Sequence, residues 1–142
     1  MSEFQTVVVG TDGSDSSLRA VERAAQLASG LGAKLIVATA YIPTPDHAHG
    51  ASYQMAGDAP TYAILRGAKE RAETAGATIV EERAIVGAPA DVLLDLAEEV
   101  DADLLVIGNL GLNTIAGRLL GSVPASVARR AKTDVVIVHT TG

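Results

Sequence analysis

Leu104-Leu105-Val106-Ile107-Gly108-Asn109-Leu110-Gly111 runs four apolar residues straight into a turn with two glycines. A short apolar run with no polar alternation reads as a strand covered on both faces, the pattern of a parallel sheet. Three further stretches repeat it. Thr6-Val7-Val8-Val9 ends at Gly10, Leu35-Ile36-Val37-Ala38 ends near Tyr41, and Val135-Val136-Ile137-Val138 lies near the end of the chain. A fifth strand, Thr78 to Val86, carries Glu81, Glu82 and Arg83, which suits an edge position.

Segments of helical period separate these runs. Leu18, Val21, Ala25 and Ala28 recur at helical spacing up to Gly30 and Gly32. Ile64, Leu65, Ala68 and Ala72 share one face of a helix expected from Thr61 to about Ala75. Pro89 suits a first helical turn ahead of Leu93, Leu96, Ala97 and Val100, and Pro124 opens a short last helix. Residues 42–60 hold three Pro and two His with no clear period and read as a long surface loop. The order βα-βα-βα-βα-β predicts one α/β domain over residues 1–142. It is an open, doubly wound, Rossmann-like parallel sheet of five strands with helices on both faces. Ligands of such sheets bind beyond the carboxyl ends of the strands, where the strand order reverses.

Composition narrows the function. The 142 residues are 48% hydrophobic and 20% charged, a globular balance, and there is no Cys to serve as nucleophile, thiolate ligand or disulfide. Eleven Lys and Arg against 17 Asp and Glu leave a net charge of −6, which opposes a nucleic-acid partner. No apolar run approaches the roughly 20 residues of a membrane span, and the first residues lack a basic lead-in to a signal peptide. A cytoplasmic protein is expected.

The segment Gly108 to Pro124 places three glycines, Gly108, Gly111 and Gly121, between a strand end and a helix start. Glycine lets the backbone approach a ligand closely, and Ser122 is placed to cap the helix that Pro124 opens. A phosphate there would meet several backbone N–H groups and the positive helix end. Asn113, Thr114 and Ser122 could add side-chain hydrogen bonds, and Arg118 a positive charge. Without a Lys after the last glycine this is not a Walker A loop, and the spacing is not that of a Rossmann fingerprint. Asp12, just past the first strand, could accept from ribose hydroxyls or cap the following turn.

The spacing G-x2-G-x9-G-S resembles the nucleotide-binding signature of the universal stress protein family, matched at Gly108, Gly111, Gly121 and Ser122. Val7-Val8-Val9-Gly10-Thr11-Asp12-Gly13-Ser14, Val86-Gly87-Ala88-Pro89 and Val135-Val136-Ile137-Val138-His139 are similar to other parts of that family. Thr114 to Pro124 resembles the actinobacterial, mycobacterial-type members, described as binding cyclic AMP as well as ATP. The resemblance implies an adenine-nucleotide-binding stress or signalling protein. Adenine and ribose contacts fall on Gly10, Asp12 and Ala40. Phosphate contacts fall on Gly108, Asn109, Leu110, Gly111, Leu112, Asn113 and Thr114, with Gly121, Ser122 and Val123 from the second half of the motif. Gly10 stands where many members carry Pro. Ala40 replaces a common Val and gives a slightly roomier adenine wall. The resemblance also implies a homodimer through the last strand, and Mg²⁺ could accompany ATP.

An enzyme is the competing class. Thr11-Asp12-Gly13-Ser14-Asp15-Ser16 loosely resembles the pyrophosphate loop of ATP pyrophosphatases, which would imply slow ATP hydrolysis or nucleotidyl transfer. Such chemistry needs a positioned base or nucleophile and metal-holding carboxylates. The glycine segment has no Lys, no Glu and no acidic pair, so no catalytic residue is assigned. His47 and His49 lie near Asp46 without a third ligand, so no metal site is assigned there, and His139 reads as a strand-end residue.

Overall fold

A computed structural model describes residues 5–41, 51–110, 112–113, 119–120 and 123–140; for 51–60, 112–113 and 119–120 only the backbone is described. Along the chain the elements are β1 (Thr6–Gly10), α1 (Asp15–Leu31), β2 (Lys34–Tyr41), α2 (Ala51–Thr74), β3 (Val80–Val86) and α3 (Pro89–Glu99). There follow β4 (Leu104–Gly108), β5 (Leu112–Asn113), β6 (Leu119–Leu120), α4 (Val123–Arg130) and β7 (Asp134–Val138). Five strands form one parallel sheet in the order β3-β2-β1-β4-β7. The chain therefore builds outward from β1 to β3, then returns to the other side of β1 to place β4 and β7. The order reverses between β1 and β4, as the expected doubly wound sheet requires.

Strand alternation assigns the two faces. Val7 and Val9 join Ala20, Val21, Ala24, Leu65, Ala68 and Ala72 of α1 and α2 in one buried layer. Val8 between them points the other way, into a layer with Ile36, Leu105 and Ile107 of the sheet and residues of α3 and α4. This is why β1 and β4 read as continuous apolar runs: every residue of both strands is buried.

Helix ends follow local chemistry. Ser14 caps α1, its hydroxyl accepting from the Ser17 N–H at 3.2 Å, and Gly32 closes the helix in the left-handed conformation (φ 68°). Pro89 begins α3; Leu93, Leu96 and Ala97 of the expected stripe are buried, whereas Val100 lies at the C-cap and is only partly buried.

The edge expected from the charged residues of β3 is an edge. β3 pairs only with β2 in the sheet, and Glu81 accepts from Lys34 at 3.0 Å and Arg83 at 3.4 Å. The hydrogen bond from Lys34, and then that from Arg83, hold the Glu81 carboxyl below its ordinary range, so the edge stays charged. β7, whose apolar run reads in the sequence as covered on both faces, instead forms the opposite edge, with Ile137 44% exposed.

Two expectations need correction. Residues 51–60 are not loop but the first turns of α2, which runs from Ala51 rather than Thr61. Ala51, Gln54, Met55, Ala56 and Ala59 are good helix formers, and together they outweigh the loop signals of Gly57 and Pro60. The remainder of the expected loop, 42–50, lies outside the described residues, as do His47 and His49. The glycine segment also contains a small antiparallel pair, Leu112 opposite Leu120 and Asn113 opposite Leu119, which two-residue strands do not announce.

Candidate functional site: the cleft beyond β2, β1 and β4

Gly10, Ala40 and Gly108 lie at or near the carboxyl ends of three consecutive strands, β1, β2 and β4, on either side of the reversal point. Gly10, Ala40 and Gly108 are all buried. The fold thus brings together positions about 30 and 100 residues apart, which the sequence could associate only through the parallel-sheet argument.

Beyond β1 the chain turns tightly into α1. The Thr11 N–H still pairs with the Ala38 carbonyl at 2.9 Å, extending the β1–β2 ladder by one residue. Gly13 then adopts φ 84°, and a Cβ there would lie 3.1 Å from Ile64 Cγ1 of α2. Glycine is required here both for the dihedral and for the space. Asp12 Oδ1 accepts from the Ser14 N–H at 2.9 Å, which is the turn-capping role foreseen as its alternative. A carboxylate has two oxygens and can accept several hydrogen bonds, so the capping bond does not by itself rule out a ligand role.

Beneath the turn lies a hydroxyl pair. Ser17 Oγ donates to the Ser14 carbonyl at 3.0 Å and accepts from the Asp12 N–H at 3.2 Å. Its one proton is thereby used, so Thr11 Oγ1, 2.8 Å away, donates to Ser17 while accepting from the Gly13 N–H at 3.1 Å. Thr11 and Ser17 are both buried, and their hydroxyls fix the turn rather than face a ligand.

The end of β4 is held from the other side. A Cβ on Gly108 would meet Ser16 Oγ and Thr140 Cγ2, each at 3.4 Å, so glycine lets β4 close against the first turn of α1 and the residues beyond β7. The Asn109 N–H bonds the Val138 carbonyl at 2.9 Å, and Asn109 Oδ1 accepts both the N–H and the hydroxyl of Thr140, each at 2.9 Å. Thr140 Oγ1 is 2.6 Å from Ser16 Oγ, and Arg19 Nη1 donates to the Thr140 carbonyl at 2.6 Å. With its own proton committed to Asn109, Thr140 accepts from Ser16. Sequence reasoning missed this network. Ser16 and Thr140 stand 124 positions apart, and no local pattern links them.

Of the remaining expected contacts, Leu110 is exposed just past β4. Leu112 and Asn113 form β5. Val123 starts α4 with its side chain buried in the layer of Val8 and Ile36, so only its backbone can face a ligand. Gly111, Thr114, Gly121 and Ser122 lie outside the described residues, as does Arg118. Among the described residues no group of three or more His, Cys, Asp or Glu could hold a metal, and no helix is long and apolar enough to cross a membrane.

Comparison with known proteins agrees with this architecture. The sequence model described as the universal stress protein family matches residues 3–139. A universal stress protein of Mycobacterium tuberculosis is 65% identical over 147 aligned positions, covering 99% of this chain and all of the relative. A universal stress protein crystallised in complex with cAMP superposes with a TM-score of 0.79 at 65% identity, covering 97% of this chain and 98% of its own. The universal stress protein from Archaeoglobus fulgidus in complex with dAMP gives a TM-score of 0.69 at 27% identity, covering 96% of this chain and 98% of its own.

Proposed function

The chain belongs to the universal stress protein family, and we propose that it is an adenine-nucleotide-binding protein that takes cyclic AMP and ATP in the cleft beyond β2, β1 and β4. The observation that carries this reading is the convergence of Gly10, Asp12, Ala40, Gly108 and Asn109 at the reversal point, with the glycine segment leaving directly from β4. The cAMP complex of a 65% identical protein and the dAMP complex of a more distant one support the same ligand class.

In this site Ala40 forms part of the adenine wall, and Asp12 accepts from ribose hydroxyls while its Oδ1 continues to cap the turn. The phosphate lies against the N–H groups of the glycine segment from Gly108 to Thr114 and, at the start of α4, those of Gly121, Ser122 and Val123. The α4 dipole adds attraction for the anion. Mg²⁺ would enter only with ATP, where it would offset phosphate charge. The protein works by binding, as a stress or signalling protein or a nucleotide buffer in the cytoplasm. Its cleft offers donors and a shaped wall but no assigned base or nucleophile.

Calorimetric titration of nucleotide-free protein with cyclic AMP and with ATP, each with and without Mg²⁺, tests the reading directly. Saturable one-site binding of either nucleotide is the expected result, and no heat from either would overturn it. Tighter cyclic AMP binding assigns a sensor or buffer of that messenger. Tighter, Mg²⁺-dependent ATP binding assigns an ATP-loaded protein and makes hydrolysis the next assay.

The homodimer forms through β7. Among the described residues this edge strand has no partner strand on its outer side, and its exposed Ile137 adds apolar surface. Ile137→Lys places a charge on that edge without entering the core. The expected outcome in analytical ultracentrifugation is a shift from dimer to monomer at micromolar concentration. A dimer of undiminished affinity would locate the interface elsewhere.

A further inference from the structure

We propose that Thr140 is a positioning residue of the nucleotide cleft, acting through the Asn109 amide. This rests on the nucleotide-site reading above and adds to it a residue that touches no ligand. Thr140 presents two donors to Asn109, its N–H and its hydroxyl, each 2.9 Å from Oδ1. Two donors on one oxygen settle which end of the planar amide faces β7: the oxygen must, and the NH₂ is turned away on the other branch of the group.

The consequence for an anion is direct. An amide free to flip would offer a phosphate its oxygen as readily as its nitrogen, and the oxygen repels it. The oriented amide offers two N–H donors from the first residue beyond β4, where the glycine segment begins. Ser16 and Arg19 complete the device by fixing Thr140 itself. Ser16 supplies the hydroxyl proton that Thr140 accepts, and Arg19 holds the Thr140 carbonyl. The first turn of α1 thus locks the chain beyond β7, which in turn orients the donor at the end of β4.

The test compares cyclic AMP affinity of wild type, Thr140→Val, Thr140→Ser and Asn109→Asp by calorimetry. The side-chain NH₂ resonances of Asn109 are followed by ¹⁵N–¹H correlation spectra. Thr140→Val keeps the size but removes the hydroxyl, and should weaken binding roughly three- to tenfold. Thr140→Ser restores the hydroxyl and should return affinity to within about twofold of wild type. Asn109→Asp keeps the acceptor toward Thr140 and replaces the donor by a charged oxygen, so the loss should exceed roughly tenfold. On nucleotide addition the Asn109 NH₂ resonances should shift in wild type and Thr140→Ser, and shift less in Thr140→Val.

Wild-type affinity in Thr140→Val overturns the proposal, as does a Thr140→Ser variant no better than the valine. Should the valine variant melt too low to titrate, Asn109→Asp decides alone, and undiminished affinity there overturns it. Absence of any nucleotide binding by wild type is a separate outcome, which removes the site reading and this inference with it.

Discussion

Gly121→Asp is expected to lower cyclic AMP and ATP affinity by on the order of a hundredfold while leaving the melting temperature within a few degrees of wild type. Gly121 is two residues ahead of α4, which starts at Val123. In the proposed site the phosphate sits against that helix start. A carboxylate set about 4 Å from a singly charged phosphate, at the effective dielectric of a protein surface, repels it by up to about 4 kcal/mol. Partial solvent screening still leaves roughly 2–3 kcal/mol, and each 1.4 kcal/mol is a factor of ten. The same charge near a helix N-terminus favours the helix by about 0.3–1 kcal/mol, so stability and binding move in opposite directions. Gly121→Asn separates charge from bulk: it adds nearly the same volume without the charge and should lose far less. Calorimetry and thermal melting of the two variants read all of this. Equal, small losses for Asp and Asn would take the phosphate away from the start of α4.

Much of the fold was legible because its physics is local. A strand buried on both faces must be largely apolar, and β4 and, Thr6 apart, β1 are, so the pattern alone exposes them. Glu81, Glu82 and Arg83 mark β3 as an edge for the converse reason, since charge is tolerated where a strand meets water. The start of α2 was not legible. Gly57 and Pro60 each signal a break, and the helix formers around them carry the chain through. The β5–β6 pair has only two residues per strand, too few to show a period.

The cleft divides along the same line. Its location follows from strand order, and the glycines from their spacing. The Ser16–Thr140–Asn109 network does not, because a hydrogen bond closing 124 residues leaves no trace in neighbouring positions. Asp12 shows the intermediate case: a residue between a strand and a capped helix has two physically sensible roles, and the turn shows it in the capping one.

The scaffold beneath the cleft yields the second large effect, in stability rather than binding. Leu105→Ala should cost about 3–4 kcal/mol, equivalent to a fall of roughly 10 °C in the thermal midpoint. Leu105 is fully buried on β4, between β1 and β7, in the layer with Val8, Ile36, Leu93, Leu96 and Val127. Its neighbours come from both the sheet and the helices, so they cannot collapse into the void without bending one or the other, which keeps the cost above the low end of the usual range. Leu110, five residues on and 48% exposed, is the control; Leu110→Ala should change stability by no more than about 0.5 kcal/mol. The Leu105 side chain enters the layer of α3 and α4, whereas Gly108 at the cleft is held against α1. Nucleotide affinity measured well below the midpoint should therefore stay within a few-fold of wild type. A large affinity loss in well-folded Leu105→Ala would mean that the two faces of β4 are mechanically coupled and that the cleft depends on core packing as much as on its polar clamps. A midpoint lowered by less than about 3 °C would instead show that the α3–α4 layer repacks freely around the missing side chain.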